Sequence, residues 1–322
     1  MRRLFAGLRD DVRMVRQARD LHGQARTPRS ALAHETVRGS SSFATGWART
    51  PAARAARRAI QDGLLKPVTW TQVRPQIEGL DHLQRLSGPV VFVANHSSHL
   101  DAPLIIGSLP RRLSSRLAVG AAADYFFDTR WQAMVTALVF NAFPIVRRGH
   151  DRRRSLAPQL LAEGWNLLLF PEGTRSEDGW MSPPRIGPAH LCIQRQVPMV
   201  PVMLRGTYAA MPRTRNWPMP GQQRVIVRYG KPLHPAEGEG ARALHQRMVQ
   251  SMARLWAEDD LGWYGSLRAQ ARGELALPTG PLEPVGDGTP ALVQPGSWRR
   301  VWAASRPLPA RSKHLQVWRR GS

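Results

Sequence analysis

In 322 residues the chain has one cysteine, Cys192. That excludes an internal disulfide and any zinc or iron–sulfur site built on several cysteines. Its setting, "AHLCIQ", marks it as a small buried apolar residue. Lysine is nearly as scarce, with Lys66, Lys231 and Lys313 the only three. Acidic side chains are also few: 23 stand against 46 Lys and Arg, for a formal net charge of +23. No apolar run approaches the roughly 18 residues that a membrane-spanning helix needs. The longest, "MVTALVFNAFPIV", is too short. The start, "MRRLFAGLRDDVRMVRQARDLHG", is basic but has neither an uninterrupted apolar stretch nor a small-residue cleavage site, so it does not read as a secretory signal. These shortages predict a cytoplasmic protein lying peripherally on the inner face of the cell membrane.

What is abundant is arginine. Such a charge draws a protein to anionic membranes, phosphorylated substrates or nucleic acid, and the guanidinium fork suits bidentate phosphate contacts. Residues 1–60 carry 13 Arg against 4 acids, and 1–65 is predicted to be a basic extension with a membrane-surface helix near 2–20 and another near 50–62. From 66 to 264 the texture changes. "GPVVFVAN", "RLAVGA", "NAFPIV", "WNLLLF", "VPMVPVML" and "RVIVRYG" are short continuous apolar runs, the pattern of strands buried on both faces. Between them "DAPLIIGSL", "RWQAMVTALVF", "RSLAPQLLAEG" and "GPAHLCIQRQ" read as helices, and "ARALHQRMVQSMARLWAEDD" closes the domain. This alternation predicts an α/β fold with a mostly parallel central sheet flanked by helices. The two prolines of "VPMVPV" remove backbone donors, which points to an edge strand or a bulge. Residues 265–322, rich in Pro, Gly and Arg, are predicted to be a disordered tail.

Three stretches can carry chemistry. In "NHSSHLD", His96, His99 and Asp101 follow a buried strand. Two histidines and a carboxylate suggest a metal, but the spacing differs from the tighter H-x-H-x-D-H run of metal-dependent hydrolases and the chain offers no second ligand cluster, so no metal is expected. The same residues also suit a His–Asp pair: Asp101, at the start of the next helix, can fold back to accept the imidazole N–H of His96 and fix its tautomer. A helix N-cap for Asp101 and a satisfied polar histidine are the plainer alternatives. In "LLLFPEGTRSEDG", Glu172, Gly173, Thr174 and Arg175 occupy the loop at the end of another buried strand, where sites in open sheets lie. In "FPIVRRG", Arg147 and Arg148 take a similar place.

Taken together, N-H-x4-D at Asn95 to Asp101, P-I-V-R at Pro144 to Arg147, F-P-E-G-T-R at Phe170 to Arg175 and V-P-M-V-P-V at Val197 to Val202 resemble the glycerolipid acyltransferases that make phosphatidic acid from lysophosphatidic acid. The resemblance covers roughly residues 66 to 235. It implies acyl transfer from acyl-CoA or acyl carrier protein, as co-substrate and without a cofactor, to the hydroxyl of a lysophospholipid. His96 would be the general base and Asp101 its partner. Arg147 and Arg175 would hold phosphate, and Glu172, Gly173 and Thr174 would shape the acceptor site. His99 would be an ordinary loop residue. An anionic membrane is the expected surface, and no nucleic acid is expected. The chain departs from the family at Val146, where an acid is common, and in "SPPRIG", where Pro184 and Arg185 replace a Phe–Lys pair.

Overall fold

The computed structural model describes residues 45–122, 130–145, 156–215 and 217–279. The first helix, α1 (Pro51–Ile60), is capped by the Thr50 hydroxyl, which accepts from the Ala53 N–H. It runs through a π-helical turn (Gln61–Leu65) into α2 (Lys66–Gln72). Then come β1 (Val73–Glu78), β2 (Val91–Ala94), α3 (Asp101–Ser108), α4 (Arg111–Ser114), β3 (Leu117–Ala122), α5 (Arg130–Phe140) and β4 (Phe143–Ile145). Next follow α6 (Ala157–Ala162), β5 (Asn166–Leu169), α7 (Gly187–Arg195), β6 (Met199–Arg205), α8 (Thr207–Ala210), β7 (Gln223–Tyr229) and α9 (Ala241–Ala271).

The strands form one seven-stranded sheet in the order β1-β7-β6-β2-β5-β3-β4. Every pairing is parallel except that of β6 with β7, as the sequence pattern predicts for an α/β fold. Strand β2 shows why the apolar runs are continuous. Val91 and Val93 enter the core on one face with Leu167, Met199, Cys192 of α7 and Met248 of α9. Phe92 and Ala94 enter the other with Leu104, Ile105, Val200 and Tyr229. Alternate side chains point to opposite faces, and with both faces covered every position must be apolar.

Three features refine or correct the sequence reading. First, β6 is an interior strand, between β7 and β2, so of the edge or bulge that its prolines allow the structure takes the bulge. Its Pro201 is accommodated because the pairing of Met199 with Leu233 and of Val202 with Tyr229 leaves one extra residue on the partner chain. The missing N–H falls at that bulge, while the Pro201 carbonyl still accepts from Gly230 N–H at 2.8 Å. The edges are β1 and β4; β1, half-exposed, is paired to β7 alone, where Pro75 is harmless.

Second, helices run through both boundaries predicted at 65 and 264. The segment 45–65 packs on the body: buried Arg57 donates to the Leu138 carbonyl at 2.7 Å and to the Ala137 carbonyl, and Gln61 donates to that of Val139. These bonds satisfy carbonyls at the end of α5 that have no intrahelical donor. At the other end α9 continues to Ala271, broken at Gly262 (φ 71°, ψ 172°), a conformation open to glycine. Third, the chain after α9 turns back, so that Met181 N–H bonds the Pro278 carbonyl at 2.9 Å and Leu277 packs on the core. Arg147, the helix predicted at 2–20 and the tail from 280 onward lie outside the described residues. Among the described residues no helix is long and apolar enough to cross a membrane.

Candidate active site

At the carboxyl end of β2 the chain makes a tight turn from Asn95 to Asp101. Asn95, 3% exposed, acts as a surrogate peptide: its amide donates to the Leu204 carbonyl at 2.9 Å and its oxygen accepts from Leu204 N–H at 2.7 Å. The pairing of β2 with β6 is thereby extended one step by a side chain, and His96 leaves the sheet from a fixed point. Asp101 is the first residue of α3, not its N-cap. Its carboxylate, fully buried, folds back: Oδ2 lies 2.8 Å from His96 Nδ1 and accepts from the backbone N–H groups of Ser97 and Ser98, each at 2.8 Å. Three donors thus converge on one carboxylate oxygen at the start of α3. With Nδ1–H donated to Asp101, Nε2 is left as the basic nitrogen of His96.

The turn is anchored on every side. Ser97 Oγ bonds Thr207 Oγ1 at 2.9 Å and Ser98 Oγ donates to the Met211 carbonyl at 2.8 Å. The imidazole of His96 stacks on Phe170, with centroids 4.1 Å apart and planes inclined by 22°. Its side chain is 19% exposed, against 0% for Asp101, so the ring is reachable from one edge while its partner is sealed.

The loop after β5 is bound to this turn through backbone. Glu172, 4% exposed, accepts His96 N–H at 2.7 Å on one oxygen and Ser182 N–H at 2.8 Å on the other. Ser176 N–H in turn donates to the His96 carbonyl at 2.8 Å. Glu172 therefore faces inward as a strut between the two loops rather than outward as an acceptor ligand. Burial pushes its carboxyl up to about 8, against the lowering by the two N–H donors. Gly173 has φ +78° and bonds back to the Phe170 carbonyl. Thr174 is exposed and Arg175 half-buried. His99, half-buried, is pulled down to about 4, first by burial and then by the positive charge of Arg175. Arg175 and His99 are thus neighbours at the site, and His99 stays neutral near pH 7. Among the described residues no group of three or more His, Cys, Asp or Glu is placed to hold a metal ion.

Residues 74–205, which contain both loops, match the family model described as Acyltransferase. Over this segment the chain is similar to acyltransferases. It is 26% identical over 176 residues to a 1-acyl-sn-glycerol-3-phosphate acyltransferase of Limnanthes douglasii, covering 52% of this chain and 57% of that protein. A 1-acyl-sn-glycerol-3-phosphate acyltransferase of Chlamydomonas reinhardtii is 30% identical over 179 residues, covering 55% and 52%. The human 1-acyl-sn-glycerol-3-phosphate acyltransferase alpha is 27% identical over 198 residues, covering 58% and 65%. The chain thus spans about half to two-thirds of the length of these relatives. The crystal structure of the 1-acyl-sn-glycerophosphate (LPA) acyltransferase from Thermotoga maritima aligns with a TM-score of 0.46 at 24% identity, over 66% of this chain and 86% of that one.

Within this matched segment the sequence reading brought His96, Asp101, Glu172, Gly173, Thr174 and Arg175 to one end of the sheet, and the fold assembles them there. It had no role for Asn95, Ser97, Ser98 or Phe170. Asn95 had a visible signal, a buried amide directly after an apolar strand, where an unpaired polar group would be costly. The inward turn of Glu172 had none, because its partners are 76 and 10 residues away.

Proposed function

We propose that this chain is an O-acyltransferase that moves a fatty acyl group from acyl-CoA or acyl carrier protein to the free hydroxyl of 1-acyl-glycerol 3-phosphate, giving phosphatidic acid for phospholipid synthesis. The observation that carries the reading is the His96–Asp101 pair, 2.8 Å apart, at the strand end of a segment similar to acyltransferases. His96 Nε2 takes the proton of the acceptor hydroxyl while Nδ1–H stays on Asp101, whose buried charge steadies the imidazolium. The acceptor oxygen attacks the thioester carbonyl and forms the tetrahedral intermediate. The C–S bond breaks, and the imidazolium returns its proton to the departing thiolate. No enzyme ester is needed, because the acceptor itself is the nucleophile. Arg175, with Arg147, supplies positive charge for the acceptor phosphate.

The basic composition and the lipid acceptor support a protein working at the cytoplasmic face of an anionic membrane. The test is to incubate the purified chain with long-chain acyl-CoA and follow free thiol with and without lysophosphatidic acid. Thiol release that requires the acceptor and is matched by phosphatidic acid is expected. Release indifferent to the acceptor would make the protein a thioesterase and overturn the reading.

A further inference from the structure

A second arginine stands at the same end of the sheet. The connection from β5 to β6 leaves the sheet at Leu169 and returns through α7, so the loop 170–186 and the N-terminus of α7 both lie at the carboxyl end of β5, beside His96. Arg185 is the penultimate residue of that loop. Its backbone N–H bonds the Pro171 carbonyl at 3.0 Å, and Pro183 and Pro184 stiffen the chain before it. The guanidinium lies over Gly173: a Cβ built there would sit 3.2 Å from Arg185 Cζ and 3.4 Å from Nη2. Gly173 therefore serves both the left-handed turn and the close approach of an arginine.

The carboxylates of this loop are all engaged elsewhere. Glu172 holds the N–H groups of His96 and Ser182, Glu177 pairs with Arg213 at 2.7 Å, and Asp178 accepts from the Ser176 hydroxyl and Trp180 N–H. Among the described residues none forms a salt bridge or side-chain hydrogen bond with Arg185, although it is exposed. An exposed guanidinium beside Gly173, left without a counter-charge among the described residues and set just before a helix N-terminus, is suited to a phosphate.

Resting on the proposed acyl transfer, we propose that Arg185 joins Arg175 in a clamp on the phosphate of the acceptor. The donor thioester also carries phosphates when it is acyl-CoA, so the kinetic arms are chosen to tell the two sources apart. The full chain and its Arg185→Ala and Arg185→Lys variants are assayed with lysophosphatidic acid and acyl-CoA varied separately, and with an uncharged monoacylglycerol as acceptor. For Arg185→Ala the KM for lysophosphatidic acid should rise roughly 10- to 100-fold, with the acyl-CoA KM unchanged and kcat within about threefold. Arg185→Lys should recover part of the loss. Turnover of monoacylglycerol should be the same in all three proteins.

Since the side chain is exposed, thermal unfolding of the variants should match the parent. Should Arg185→Ala nevertheless misfold, Arg185→Lys and Arg185→Gln provide the same comparison. An unchanged acceptor KM overturns the clamp, as does a rise confined to the acyl-CoA KM, which would assign Arg185 to the donor's phosphates. Absence of acyl transfer by the parent chain would be a failure of the proposed function instead.

Discussion

The two loops of the site are built in opposite ways. From Asn95 to Asp101 nearly every polar atom is tied to backbone: Asn95 to Leu204, Ser98 to Met211, and Asp101 to its own turn. From Gly173 to Arg185 the chain is tied through its backbone at Ser176, Ser182 and Arg185 but presents an exposed threonine and, over Gly173, the exposed guanidinium of Arg185. A proton must be taken by an atom fixed to within a few tenths of an ångström, whereas a charged phosphate tolerates a looser grip because Coulomb attraction falls off slowly. The difference teaches that rigidity here is local and is concentrated where the chemistry requires geometry.

The sharpest way to break the comparison is to remove the base. His96→Ala should lower kcat by about 10²- to 10⁴-fold and leave the far-ultraviolet dichroism unchanged. A variant keeping more than a tenth of parent activity would count against His96 as the base. Next in size, Asn95→Ala strands the N–H and carbonyl of buried Leu204. Unfolding should become easier by about 1–3 kcal/mol for each group left unsatisfied, with a fall in kcat as His96 loses its anchor. Denaturant titration beside turnover would check this, and an unchanged midpoint would remove Asn95 from the account.

The loops also titrate in opposite senses. His99, lowered to about 4 from an ordinary 6.5, contributes stability that is complete above 6.5 and is lost as pH falls from there toward 4. Glu172, raised to about 8 from an ordinary 4.5, contributes stability that is complete below 4.5 and is lost as pH rises toward 8. Melting temperature against pH should therefore flatten on the acid side in His99→Gln and on the neutral side in Glu172→Gln. Profiles parallel to the parent in both variants would contradict the burial argument. The smallest effect is expected at exposed Thr174, where Thr174→Val should change KM and kcat by less than about threefold, read from the same steady-state assay.

How much of this was legible in the sequence depended on distance along the chain. Strands covered on both faces, such as Val91–Ala94 and Asn166–Leu169, announce themselves as unbroken apolar runs. Strand β1 does not, because an edge strand with one partner can hold Arg74, Pro75 and Gln76. The prolines of β6 left an edge strand and a bulge open, and only the bulge is present, because the extra residue near Gly230 that removes the need for a ladder donor is contributed about thirty positions later. The residues alone left the His96–Asp101 contact level with a plain helix N-cap, and it was the resemblance of Asn95 to Asp101 to the acyltransferase motif that favoured the contact. The role of Glu172 was not legible, since its bond to His96 exists only once β2 and β5 are side by side.

The central claim is that Asp101 fixes His96 with its proton on Nδ1, leaving Nε2 to take the acceptor's proton. Nitrogen NMR of the ¹⁵N-histidine-labelled chain, with His96 assigned through His96→Gln, tests it most directly. The account predicts a neutral His96 protonated at Nδ1, with that signature shifted or lost in Asp101→Asn. A ring protonated at Nε2, or one indifferent to Asp101→Asn, would contradict it.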